Sequence, residues 1–176
     1  MTIIEDLTTL ETFMSEAVAT IEADHFVPIS NGEEGVQELQ HFFEKTGRPG
    51  ETVCFFQMAE IPLTDNDAGY SKATFATTLM LVKKMAAPKI TWEIKRTTRD
   101  ELLKKMLALV GNLVLASDWF VRAYNEQGNE AYDVTITVFQ DRIMPVGRIA
   151  NVNLQGWLVD IDVSIPVNTL MYGAGQ

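Results

Sequence analysis

The chain contains a single cysteine, Cys54, and only two histidines, His25 and His41. One cysteine excludes an internal disulfide framework and a thiolate zinc cluster within one chain. Neither histidine has a second histidine four positions away with a glutamate between, so the zinc-hydrolase helix signature is missing. No stretch reaches the roughly 18 uncharged apolar residues of a membrane-spanning helix. No glycine-rich phosphate loop and no Gly-x-Ser-x-Gly elbow occurs. Basic charge is scarce: 14 Lys and Arg stand against 24 Asp and Glu, for a net charge of −10. That balance argues against a basic surface wrapped around nucleic acid. Thr2-Ile3-Ile4-Glu5-Asp6 is acidic where a signal peptide would be basic, which predicts folding in a cytoplasm.

What is present is globular in composition, 47% hydrophobic and 22% charged over 176 residues. The length predicts one domain, 1–176. About 70% of the unfolded surface is buried at this size, so the core needs no metal or disulfide. The charge is segregated along the chain. Residues 1–70 carry 14 acids and 2 bases, residues 71–105 carry 3 acids and 9 bases, and residues 106–176 carry 7 acids and 3 bases. Segments of opposite sign form either solvated faces or complementary surfaces for neighbouring copies.

Residues 2–23 have the pattern of an amphipathic helix, with Thr2 and Glu5 at capping-box spacing and Leu7, Leu10, Met14, Ala17, Val18 and Ile21 on one stripe. Asp24 to Pro28 ends it, because the residue before proline avoids the helical region. Residues 29–50 are irregular, with turn signals around a short helix that holds Val36, Leu39, Phe42 and Phe43. A strand is predicted over 52–61 and another over 72–85, joined as a hairpin by the Asp65-Asn66-Asp67-Ala68-Gly69 tip. A short strand at 89–94 is possible. Thr98 and Glu101 repeat the capping-box spacing and start a helix to about Ala116. Apolar residues lie on several sides of that helix, which predicts packing between two partners. A turn at 125–129 leads into a strand over 132–140; a loop at 142–153 follows, then a strand over 155–167, and 168–176 form a flexible tail. In the last strand Trp157, Val159, Ile161, Val163 and Ile165 face one way, and Leu158, Asp160, Asp162 and Ser164 the other. The expected fold is α+β: an antiparallel or mixed sheet packed by two main helices, in the order α-β-β-α-β-β.

Few residues carry chemistry. Cys54, in the run Val53-Cys54-Phe55-Phe56, has the setting of a buried, inert thiol. The loop from Asp65 fails the calcium-loop test, since its glycine falls fifth and its twelfth position is Ala76. Asp160 and Asp162 share one strand face and resemble a metal or acid/base pair, against which stand the wet face of an amphipathic strand and the wall of a solvent channel. Lys83, Lys84, Lys89, Lys95, Arg96, Arg99, Lys104 and Lys105 form a basic stretch with only Trp92 nearby, unlike the aromatic-rich platforms that hold single strands. It suits a solvated face, or docking against the acidic residues 1–70 of another copy.

An acidic N-terminal helix, a two-strand unit with a long tip over 52–85, one apolar helix over 98–116, and a last strand Gly156-Trp157-Leu158-Val159-Asp160-Ile161-Asp162-Val163-Ser164-Ile165-Pro166 are together similar to the tail terminator, or tail completion, family of tailed bacteriophages. The resemblance lies in pattern over most of the chain. It implies a virion protein without catalytic residues or cofactors. Copies would form a ring, commonly a hexamer, that caps the growing tail tube and faces the head-tail connector, with DNA passing through the lumen and no membrane involved. It makes Asp160 and Asp162 candidates for the lumen, and Lys83, Lys84, Lys95, Arg96, Arg99, Lys104 and Lys105 candidates for docking. The residues alone leave two other readings: a bacterial ligand-binding or assembly module with no virion role, and an enzyme with a dispersed site.

Overall fold

The computed structural model describes residues 4, 6–60, 63–66, 70–86, 91–126 and 134–166. Asp6 sets the first helix, α1 (Leu7–Ala19), by accepting from the Thr9 amide while Thr9 Oγ1 accepts from the Asp6 amide. The helix is thus capped four residues later than Thr2 would place it. Beyond Ala19 the chain turns at Glu22, which takes a positive φ of 54°.

The first strand, β1 (His25–Ile29), lies where the sequence predicts only a helix end. Its signal is short and contains Pro28, which removes one ladder donor and is tolerated at a sheet edge. β1 pairs in parallel with β2 (Thr52–Glu60). Parallel neighbours need a crossover, and α2 (Gly32–Lys45) supplies it. Residues 29–50 therefore carry a helix of 14 residues that packs on the sheet. Gly35 permits the approach, since a Cβ there would run into the Ser30 carbonyl.

β2 pairs antiparallel with β4 (Tyr70–Lys84), and β3 (Leu63–Asn66) continues the hairpin along the other end of β4. Residues 67–69 of the expected tip lie outside the described residues. The third helix, α3 (Trp92–Glu126), has 35 residues and a length of about 52 Å. It replaces the expected strand at 92–94, and 89–90 are outside the described residues. Thr97 and Thr98 sit inside the helix rather than capping it, because nothing between Thr91 and Thr98 breaks a helix and Thr91 Oγ1 already accepts from the Ile94 amide at 3.3 Å. At its far end the helix includes 125 and 126, where the sequence predicts a turn.

β5 (Thr135–Val138), β6 (Met144–Val146) and β7 (Leu154–Pro166) complete the sheet, with a 3-10 turn at Gln140–Arg142. β6 lies within 142–153, which reads as a loop because Pro145 and Gly147 mask three paired residues. The main path through the sheet is β1-β2-β4-β7-β5, with β3 beside β4 and β6 beside β7. The fold class is α+β with a mixed sheet. The order is α-β-α-β-β-β-α-β-β-β, so α-β-β-α-β-β is corrected by a third helix and by the short strands β1, β3 and β6. The residues 168–176 lie outside the described residues.

Strand alternation gives the sheet two different faces. On the first, Cys54, Phe56, Phe75, Leu79, Leu81, Val159, Ile161 and Val163 are buried under α1 and α3. Phe13 of α1 meets Phe120 of α3 at 5.5 Å between ring centroids. On the second face α2 lays Leu39 and Phe43 over Val53, Phe55 and Val82, and Val146 and Leu154 join from β6 and β7. Burying each such side chain contributes about 1.5–3 kcal/mol.

Candidate interaction surfaces

The second face is layered over only part of its area. Where α2 ends, β4 and β7 present Thr74, Ala76 and Thr78 beside Ser164, Asp162 and Asp160, paired in that order. Thr74 and Ser164 share a hydroxyl hydrogen bond of 2.9 Å, and Thr78 Oγ1 donates to the Asp160 carboxylate at 2.8 Å. Thr137 of β5 stands opposite Asp162. Asp160 and Asp162 are half-buried in a shallow depression of 270 Å³ with Phe139 and Arg142. Burial pushes the Asp162 carboxyl above its ordinary range; the Arg142 guanidinium opposes this and the Asp160 charge reinforces it. The alternation thus places both carboxylates on the partly wet face, as the sequence predicts. Thr74, Thr78 and Thr137 of the same strip are legible only once the strand pairing is known.

The basic residues do not share one patch. Lys83 pairs with Glu101 of α3 at 2.7 Å. Lys84 points to the opposite face, where its Nζ donates to the Phe43 carbonyl at 2.7 Å. Lys105 donates to the Glu22 carbonyl at 2.9 Å and closes the turn after α1. Arg99 is half-buried, and its carbonyl accepts from the Trp157 indole. Arg96 lies over the Trp92 ring at 5.6 Å and near Asp100 at 3.9 Å. Lys95 is half-exposed and Lys104 is exposed. Lys89 is outside the described residues. Three of the candidates therefore act inside the protomer, while Lys95, Arg96 and Lys104 face outward along α3.

Cys54 is fully buried, and desolvation raises its thiol pKa to about 12. Among the described residues no group of three or more His, Cys, Asp and Glu side chains could hold a metal. Among the same residues no helix is long and apolar enough to cross a membrane.

The sequence pattern of α3 shows apolar residues on several sides, and the structure resolves them into two faces. Leu102, Met106, Leu109, Leu113, Ala116 and Phe120 are buried. Leu107, Val114 and Leu115 are 51%, 39% and 67% exposed, so the expected second packing partner of this helix is not supplied by the described residues. Trp92, at the N-terminal end, is 71% exposed.

No protein-family model matches the chain, and no characterised protein matches its sequence.

Proposed function

We propose that this chain is a non-enzymatic structural subunit of a tailed-phage virion, forming a closed ring at the head-proximal end of the tail. The ring would cap the tail tube, face the connector and let DNA pass. The observation that supports this reading best is the two-sidedness of the sheet. One face is covered by two helices. The other leaves a row of hydroxyl and carboxylate side chains, centred on Asp160 and Asp162, beside the layer formed by α2.

A bore that carries DNA works best with neutral or acidic walls, because basic walls would hold phosphates and make passage salt-dependent. Asp160 and Asp162 fill that role in this reading. A ring also needs head-to-tail contacts that close. Helices α2 and α3 lie on opposite faces of the sheet, so contact between α3 of one copy and α2 of the next is head-to-tail by construction. The outward Lys95 and Arg96, with Trp92, complement exposed Glu33 and Glu34 of α2 in charge.

Negative-stain electron microscopy of the purified chain, alone and with tail tubes, tests this reading. Closed rings with a central bore, or rings seated on tube ends, support it. Particles with no ring in either sample overturn it.

A further inference from the structure

We infer that the outward face of α3 is a twofold contact surface for a second copy of this chain. Gly111 is exposed, and a Cβ added there would meet nothing within 4 Å. A glycine inside a helix costs about 0.5–1 kcal/mol relative to alanine, and among the described residues nothing packs against this one. What a bare position does provide is close approach by another backbone.

The residues around Gly111 are arranged symmetrically about it. Four positions before and after stand Leu107 and Leu115. Three before and after stand Ala108 and Val114. Seven before and after stand Lys104 and Asp118. All seven are exposed. At about 100° per residue they fall within roughly 60° of the Gly111 direction, opposite the buried face.

An antiparallel α3–α3 contact with its twofold axis at Gly111 therefore sets Leu107 of one copy against Leu115 of the other, and Ala108 against Val114. It also sets Lys104 against Asp118 at both ends. A parallel pairing would oppose Lys104 to Lys104 and Asp118 to Asp118. Charge complementarity thus selects both the occupant and its direction. The stripe is about 22 Å long, so the interface is small and the dimer population rises with concentration. An isologous contact cannot by itself build a ring. It pairs free subunits, or two rings face to face, and so stands apart from the head-to-tail contact proposed above.

Cysteine crosslinking tests the register, because native Cys54 is buried. Under mild oxidation a Gly111→Cys chain should form a disulfide-linked dimer. Leu107→Cys and Leu115→Cys chains should crosslink when mixed, and Leu107→Cys alone should not. Charge exchange tests the same contact by sedimentation. Lys104→Asp and Asp118→Lys should each weaken self-association roughly tenfold or more, and an equimolar mixture should restore it, since each variant then meets its complement. Four results would overturn the inference. These are failure of the Gly111→Cys chain to form a dimer, crosslinking of Leu107→Cys to itself, a mixture no better than either charge variant, and protection of the thiol introduced by Gly111→Cys by another part of the same chain.

Discussion

Thr78 and Asp160 face each other across the β4–β7 pair, with the threonine hydroxyl donating to the carboxylate at 2.8 Å. This bond holds one of the two acidic side chains of the uncovered sheet face in place. Its neighbour Asp162 stands opposite Ala76, which has no hydroxyl to offer.

The proposed bore makes those two carboxylates functional and not structural. An Asp160→Lys/Asp162→Lys chain should fold and form rings, because neither carboxylate joins a helix to the sheet. Particles carrying it should eject DNA more slowly, and the defect should shrink as salt rises. Ejection monitored by dye binding to released DNA checks this.

Asp162 and Asp6 should give opposite pH signatures. Burial raises the Asp162 pKa above 3.8. The folded state then holds the proton more tightly, so this group disfavours folding at neutral pH, and the penalty fades as pH falls through the folded value. Asp162→Asn should raise Tm at pH 7, with less gain near pH 4. The Asp6 pKa is lowered from 3.8 by hydrogen bonds from Thr9, first its amide and then its hydroxyl. Its stabilisation is present above 3.8 and is lost as pH falls through the folded value. Asp6→Ala should therefore lower Tm at pH 7 and matter less in acid. Thermal melts across pH 3–7 read both.

Trp157 ties β7 to α3 through its Nε1 bond to the Arg99 carbonyl at 2.9 Å. Trp157→Phe keeps most of the apolar contact and removes the bond, so it should cost about 1 kcal/mol. Urea denaturation should show a lower midpoint with an unchanged slope.

Two glycines should respond in opposite directions to alanine. A Cβ on Gly156 would strike the Leu81 carbonyl and the Val82 backbone, which are fixed by thirteen paired positions between β4 and β7. Gly156→Ala should destabilise by about 1–3 kcal/mol. Gly111→Ala should stabilise the protomer by about 0.5–1 kcal/mol. Denaturant titration of the two variants side by side distinguishes them.

The long regular elements were legible from periodicity. β7 alternates cleanly because one of its faces is covered by α1 and α3 and much of the other is partly wet. The β2–β4 hairpin and the buried stripe of α1 follow the same logic. β1 and β6 were not legible, since strands of 5 and 3 residues that contain proline owe their existence to their partners in the sheet. The true start of α3 was hidden by Thr98 and Glu101, whose capping-box spacing is satisfied equally well inside a helix. Asp160 and Asp162 could be placed on one face from sequence. The scattering of Lys83, Lys84 and Lys105 could not, because adjacent strand residues point to opposite faces and the sign of a charge says nothing of where its side chain ends.

Native mass spectrometry over a range of protein concentrations tests the central claim, that copies of this chain close into a ring through head-to-tail contacts, most directly. The proposed ring predicts a closed assembly of about six copies, held by head-to-tail contacts whose rotation closes. A mass series that stops at the monomer or the twofold dimer at every concentration, with tail tubes present or absent, would contradict it.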